Sequence, residues 1–397
     1  MISFDFDKHC VGCAACSDVC GHGCITIVED KYGFRIPYVD TSRCVECGMC
    51  NKVCPVLNVN IRPNKNQKCY CTYHLDEEIR YMGSSGSMFY LIAEWMLTQG
   101  GIVFGAAFDE QLKLRHIEAT TLQELRPLMK SKYLQSDTTG VFKKVRDYLI
   151  KGQRVLFVGT PCQCQALYNF TNERQKENLI LVDFICHGVP SQHLFDRFIR
   201  NYENKKKVKV KSFIFREKKT PKPPRYEDDI HNFTIETIDH YGHVSTKTGF
   251  YRDCSFYQGF KKYQIFRNSC YECKFVGKDR ITDFTLGDFW YLTEYELEIK
   301  DFHKGYSELI VNSERGSALF DSLRGKVYCK EYSMDVPLKR NYAYSRPTIR
   351  YIDRELFSFF YSLPYGILSL IWSRNIFVRG SIYFIRRMCD KLIICKR

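Results

Sequence analysis

Residues 10–20, CVGCAACSDVC, and residues 44–54, CVECGMCNKVC, share one spacing, Cys-x2-Cys-x2-Cys-x3-Cys, and the second copy closes with Pro55. Two-residue gaps let three thiolates of one loop converge on a face of an iron–sulfur cube, while the fourth cysteine crosses to the other copy's cube. One 4Fe-4S cluster is therefore expected on Cys10, Cys13, Cys16 and Cys54, and a second on Cys44, Cys47, Cys50 and Cys20. The competing reading is a pair of zinc sites, because soft thiolates also select zinc. Zinc ribbons usually pair two Cys-x2-Cys knuckles across a longer spacer, and a third cysteine two residues on suits a cube better. Gly21 stands where the first copy would repeat the proline, which loosens a turn but removes no ligand. Cys24 lies outside the pattern and reads as a small buried hydrophobe.

The double run is that of a bacterial two-cluster ferredoxin, and ITIVEDKYGFRIPYVD between the copies reads as a hairpin turning at Lys31 to Gly33. Nine of the chain's 20 cysteines fall in residues 10–54 of 397. The opening MISFDFDKHC has neither a basic n-region nor an apolar h-region, so a reducing, cytoplasmic setting and metal-binding thiols are expected rather than disulfides. At 45% apolar and 26% charged, the composition excludes disordered and fibrous classes and allows two or three cores. The net charge of +14 is uneven: from Lys339 to Arg397 there are twelve Lys or Arg against Asp353, Glu355 and Asp390. A second basic run, NKKKVKVK at 204–211, reads as solvated lysines. No aromatic-basic RNA signature, zinc-finger spacing or bZIP pattern accompanies this charge, so no nucleic-acid partner is expected.

After a linker from Asn58 to Lys68 the periodicity changes. KCYCTYHL reads as a strand, SMFYLIAEWMLTQ as a helix ended by Gly100 and Gly101, IVFGAAF as a strand, TTGVFKKVRDYLIKG as a helix, and RVLFVG and LILVDFIC as buried strands. Such alternation implies an α/β sheet with parallel pairs. No GxGxxG follows a strand, so a Rossmann dinucleotide fingerprint is not supported. Two of these strands end in cysteine-bearing loops, at Cys162 and at Cys186-His187-Gly188, and ligands of open α/β sheets gather beyond the carboxyl ends of strands. With Cys270 and Cys273 they make four thiols, enough for a third cluster or zinc, with Cys164 and Cys254 as alternative fourth ligands. Single cysteines in apolar strands are more often packing.

Seven ordered blocks, SSGSMFYLIAEWML, GGIVFGAAF, SKYLQS, GTPCQ, VDFICHGVP, SCYECKF and DFTLGDFW, resemble the coenzyme F420 hydrogenase/dehydrogenase beta subunit family in its form with a fused N-terminal ferredoxin. The resemblance covers roughly residues 1–325. It implies non-covalently bound FAD, a 4Fe-4S cluster in the larger domain on Cys162, Cys186, Cys270 and Cys273, and electron flow between clusters, flavin and a deazaflavin (coenzyme F420) or another acceptor. It also gives Ser84, Ser85, Gly86 and Ser87 a role at the flavin pyrophosphate, since a helix N-terminus offers free N–H groups and a positive dipole end. Ser131, Lys132 and Asp288 are carried over as further flavin contacts. Without the resemblance, the serines read as a plain N-cap, Gly287-Asp288 as a turn, and His187 as a structural loop histidine rather than a proton donor.

The expected fold is thus an α+β ferredoxin-like iron–sulfur domain (1–60), a larger α/β flavin- and cluster-binding domain in two parts (61–150 and 151–330), and a helical, basic, partly apolar tail (331–397). In the tail, FSFFYSLPYGILSLIW at 357–372 is short of the ~20 residues a membrane span needs. IFVRGSIYFIRRMCDKLIICKR mixes aromatic and basic residues as an interfacial helix on an anionic membrane would, although packing on the main domain is the plainer expectation. The expected function is an iron–sulfur flavin-dependent oxidoreductase. It would link an external electron carrier protein to an unidentified small-molecule or lipid-linked substrate, either a deazaflavin or a polysaccharide-pathway intermediate. The alternatives are a non-catalytic electron-transfer subunit serving another chain and a zinc-thiolate scaffold.

Overall fold

Strand β1 (Ile25–Glu29) runs antiparallel to β2 (Arg35–Val39), with Ile25 opposite Val39 and Glu29 opposite Arg35. The carboxylate of Asp30 closes the turn by accepting the N–H groups of Tyr32 and Phe34, both at 2.8 Å. Each cysteine triad feeds a one-turn helix, Ala15–Val19 or Met49–Val53, that ends on the fourth cysteine of its copy. The sequence repeat is therefore a structural repeat around the hairpin. The computed structural model describes residues 1–62, 66–218, 231–290 and 302–372.

The larger domain contributes β3 (Lys68–His74), β4 (Ile102–Phe108), β5 (Leu114–Ala119), β6 (Val155–Val158) and β7 (Leu179–Phe184). Then come β8 (Lys209–Glu217), β9 (Asn232–Ile238), β10 (Val244–Phe250), β11 (Phe284–Asp288), β12 (Ser307–Val311) and β13 (Val327–Tyr332). Eight of them form one mixed sheet in the order β13-β3-β12-β11-β7-β6-β4-β5. Strands β11, β7, β6 and β4 are mutually parallel, and the flanking pairs are antiparallel. Parallel strands covered on both faces read as continuous apolar runs, which is why RVLFVG and LILVDF stand out in the sequence.

Helix Met88–Thr98 buries Met88, Leu91, Ile92 and Met96 at helical spacing against Val103, Leu156 and Leu309 on one face of the sheet. The opposite face is covered by helices Val141–Ile150 and Pro161–Phe170, which pack with Phe104, Phe157 and Leu181. Strands β8, β9 and β10 form a separate antiparallel meander. Its Phe213, Phe215 and Phe233 join Phe195 and Phe198 of helix Gln192–Lys206 and Phe256 and Tyr257 in an aromatic core.

Phe357, Tyr361, Tyr365, Leu368 and Trp372 are buried in the same core, and the Trp372 indole donates to Ser255 O at 2.6 Å. The apolar part of the expected tail is thus packed on the main domain as far as Trp372. Residues 373–397, with the expected interfacial helix, lie outside the described residues. No helix of the described residues is long and apolar enough to cross a membrane.

The N-terminal domain seats on the larger one through backbone groups of its first cysteine loop. Gln135 Nε2 donates to Val11 O at 2.8 Å and Thr138 Oγ1 to Cys13 O at 2.9 Å. The Asp18 carboxylate accepts the N–H groups of Gly140 and Phe142 at 2.7 and 3.1 Å. It thereby caps helix Val141–Ile150 from the other domain.

Candidate functional site

Cys10, Cys13, Cys16 and Cys54 are each less than a tenth exposed and wall one small cavity with Ile2, Phe4, Ile36 and Pro37. Burial first, and then the sulfurs of Cys16, Cys10 and Cys54, push the Cys13 thiol well above its ordinary range. Four thiols crowded in an apolar wall repel one another as thiolates unless a cationic inorganic core takes them as ligands. The set therefore fits an iron–sulfur cube in its donor chemistry. Cys50 of the other set is buried, Cys20 and Cys44 are half-buried, and Cys47 is exposed. Cys24 is buried beside Ile2 and Ile25, as expected of a hydrophobe, and its sulfur lies 3.3 Å from that of Cys20. Among the described residues no three His, Cys, Asp or Glu side chains gather closely enough to hold one metal ion.

Cys162 lies in the first turn of helix Pro161–Phe170, which opens with a reciprocal cap: Thr160 Oγ1 accepts from the Gln163 N–H, and Gln163 Oε1 accepts from the Thr160 N–H at 3.0 Å. The positive end of that helix opposes the burial that raises the Cys162 thiol. Cys186 follows β7, Cys270 lies within the turn Asn268–Glu272, and Cys273 ends that turn. All four line a single cavity together with Arg267 and Arg280. Burial pushes the thiols of Cys162 and Cys270 up to about 12, with Cys273 adding to both. Cys164 instead turns its sulfur to Val182 O at 3.4 Å, and Cys254 belongs to the aromatic core; neither lines this cavity. Both alternative fourth ligands are packing residues, Cys164 against β7 and Cys254 among the rings of the aromatic core.

Beyond the carboxyl ends of β6, β7 and β11 opens a cavity of about 940 Å³. That is at the upper end of ligand-pocket sizes, with room for a dinucleotide cofactor. Of the flavin contacts expected from sequence, Ser84, Ser85, Ser87, Ser131, Lys132 and Asp288 line it. Gly86 stands behind the wall: its N–H donates to Ser307 Oγ at 2.8 Å, and an added Cβ would lie 2.4 Å from Thr72 O. The hydroxyls of Ser85 and Ser87 face inward, to Tyr306 O at 2.6 Å and Ile79 O at 2.7 Å. Ser87 starts helix Met88–Thr98 at φ 65° without a side-chain cap, so the loop is not the plain N-cap that serines suggest.

Ser84 Oγ accepts the Ser131 N–H at 2.7 Å, which ties the two loops together. Arg216 forks onto Asp288 at 2.6 and 2.8 Å and donates to Ser84 O at 3.0 Å. Burial would raise the Asp288 carboxyl, but this guanidinium holds it below its usual range. Lys132 Nζ is held by Pro127 O and Met129 O at 2.7 and 2.6 Å, and burial, with Lys130 adding, lowers it to about 7.

Residues that sequence reasoning did not single out complete the wall: His116, Lys130, His231, Lys261, Arg340 and Tyr342. They come from separate elements, and no local spacing joins them. Among the described residues, His116 Nδ1, His187 Nδ1, Arg216 Nε and the Tyr342 hydroxyl are buried with no hydrogen-bond partner. Such orphans in a cavity wall mark polar positions that a ligand would satisfy. A cavity with basic residues and unmatched donors in its walls fits an anionic, polar ligand such as FAD.

The two cavities share Thr160, Cys186, His187, Gly188 and Val189. Gly188 makes the thin wall feasible, since its φ is 131° and a Cβ there would sit 2.5 Å from the Phe266 ring. His187 stacks on Tyr263 with ring centres 5.7 Å apart, and its carbonyl accepts the Thr348 hydroxyl. On the other side, Cys162 and Cys273 pack in one apolar cluster with Val11 and Cys13 of the N-terminal domain.

Residues 152–335 match the family model for the C terminus of the coenzyme F420 hydrogenase/dehydrogenase beta subunit, and residues 9–58 match that for the 4Fe-4S dicluster domain. Over 57 residues, 14% of this chain and 67% of the relative, the chain is 43% identical to a protein named Ferredoxin 7Fe from Hydrogenibacillus schlegelii. It is also similar to a chain of the xenon-derivatised F420-reducing NiFe hydrogenase complex from Methanosarcina barkeri. That likeness has a TM-score of 0.41 and 16% identity and covers 66% of this chain and 81% of the other.

Proposed function

We propose that this chain, a member of the coenzyme F420 hydrogenase/dehydrogenase beta subunit family with a 4Fe-4S dicluster domain fused ahead of it, is an iron–sulfur flavoprotein oxidoreductase. It would pass electrons between a carrier protein and a substrate bound beside FAD. The observation that carries this reading is the shared wall: the cavity of Cys162, Cys186, Cys270 and Cys273 adjoins the large cavity on one side, and its cysteines pack against the first cysteine set on the other. When bound, the clusters would supply single-electron steps, and FAD the exchange between one- and two-electron chemistry.

The protein's own part is positioning and exclusion of water. Cys47 is the exposed thiol at which a carrier protein would approach, whereas Cys10, Cys13, Cys16 and Cys54 are shielded. Ser84, Ser131 and Lys132 would hold the flavin phosphates, and His187 and Tyr342 would meet the end nearest Cys186. The basic wall supports an anionic substrate class, in which both a deazaflavin and a glycosyl phosphate fall.

The test uses the full chain, loaded anaerobically with FAD and given a reduced viologen. Fast bleaching of the flavin colour is expected in the natural protein, and bleaching at least about a hundredfold slower in Cys270→Ala/Cys273→Ala. Equal rates in the two would contradict the reading. Bound clusters without any flavin would move the assignment to a non-catalytic electron-transfer subunit.

A further inference from the structure

Arg267 is 3% exposed and has no carboxylate partner among the described residues. All its side-chain hydrogen bonds go to neutral acceptors: Nη1 to Cys10 O at 3.0 Å, Nη2 to Arg35 O at 2.8 Å, and Nε and Nη2 to Gln135 Oε1 at 3.1 and 2.9 Å. One face of the guanidinium lies 4.9 Å from the centre of the Phe34 ring. The other buried arginines at the cavities are matched, Arg216 by Asp288 and Arg280 by Asp183. Arg80 and Arg354 are also buried without a carboxylate, but they rest against tyrosine and phenylalanine rings and line neither cysteine cavity. A buried cation surrounded only by dipoles is strongly unfavourable unless a counter-charge lies near.

The position of Arg267 shows where that counter-charge belongs. Its carbonyl accepts the Cys270 N–H at 3.0 Å, and its side chain lines the cavity of Cys162, Cys186, Cys270 and Cys273. Its other end holds the carbonyl of Cys10, which also accepts Ser269 Oγ at 2.9 Å. Gly12 makes room for it: φ there is 64°, and an added Cβ would lie 2.6 Å from Arg267 Nη2. The guanidinium therefore stands between the first and third cysteine sets, where four thiolates on each side would make each loaded site anionic.

We propose that Arg267 is the shared counter-cation of the clusters held by Cys10, Cys13, Cys16 and Cys54 and by Cys162, Cys186, Cys270 and Cys273, and that it raises the reduction potential of both. The inference rests on the reading of both sets as ligand sites. Reduction adds one electron to a cluster and so one negative charge, which a nearby desolvated cation stabilises. One cation placed at the domain interface thus acts on both neighbouring sites at once. The cluster on Cys20, Cys44, Cys47 and Cys50 gains nothing from it.

The test is potentiometry of the full chain, followed by the reduced-state paramagnetic signals, in Arg267→Lys, Arg267→Met and Gln135→Glu. Arg267→Met is expected to lower two midpoints, each by about a tenfold change in the oxidised-to-reduced ratio, which is ~59 mV for a one-electron couple. The remaining midpoint should stay in place, and Arg267→Lys should remain near the natural values. Gln135→Glu neutralises the guanidinium without removing it and should produce the same two shifts, so it decides the matter if Arg267→Met fails to fold. Unchanged midpoints, a uniform shift of all three, or equal shifts in the lysine and methionine variants would overturn the proposal. A natural protein holding only about eight iron atoms would instead remove the third ligand set on which it rests.

Discussion

Lys132 has its charge governed by its surroundings near neutral pH. Burial, with Lys130 adding, lowers its ammonium to about 7, and an anionic ligand favours the charged form. FAD affinity should therefore be highest below that value and decline as pH rises through it. Lys132→Arg, which stays charged, should flatten the profile, and Lys132→Met should weaken binding about tenfold on the acid side. Flavin fluorescence titrations across the range read both effects, and a slope unchanged in Lys132→Arg would refute the assignment.

Glu308 links pH to stability rather than to binding. It is buried on β12 with one oxygen unpartnered, and burial raises its carboxyl from 4.5 to about 8. The folded chain then binds a proton that the unfolded chain has lost, so stability falls as pH rises from 4.5 to about 8. Glu308→Gln should remove that decline and be more stable than the natural protein by at least about 1 kcal/mol on the alkaline side, as read by denaturant unfolding.

At the scale of elements, the turn from β6 into helix Pro161–Phe170 sets Cys162 in place. Thr160→Ala removes one half of the reciprocal cap and should cost about 1 kcal/mol, while Thr160→Ser should retain it. Anaerobic unfolding, with iron retention followed alongside, distinguishes the two. The strand and the cysteine-bearing loop after it were legible in the sequence because their signals are local, whereas the helix that Thr160 caps was not read there. The ferredoxin-type repeat, helix Met88–Thr98 and strands β3, β4, β6 and β7 were legible for the same reason. The meander β8–β10 was not, since its Phe213, Phe215 and Phe233 alternate inward over a core that only distant helices complete. Phe357 to Trp372 pack on the main domain, as the plainer reading expected, but that they meet helix Gln192–Lys206 there is not written in their apolar run. The basic wall was half legible. Ser84 to Ser87 and Ser131-Lys132 stand in short blocks, whereas His116, His231, Arg340 and Tyr342 meet only after the chain has folded. Arg267 lies three residues before Cys270, but its lack of a carboxylate partner is a property of three dimensions.

Over the whole molecule, the described residues form a succession of thiol sets between surface and cavity. The exposed Cys47 belongs to the set nearest solvent, the shielded set of Cys13 packs against Cys162 and Cys273, and Cys186 and His187 border the large cavity. The contacts of Gln135 and Thr138 with the first cysteine loop, and of Asp18 with the start of helix Val141–Ile150, make that succession continuous across the domain boundary. The most direct measurement is the iron, sulfide and flavin content of the full chain purified without oxygen. About twelve iron atoms with matching sulfide, as three cubanes require, and one FAD are expected per chain. About eight iron atoms, or a preparation that takes up no flavin, would contradict a pathway that runs from Cys47 to the cavity beside Cys186.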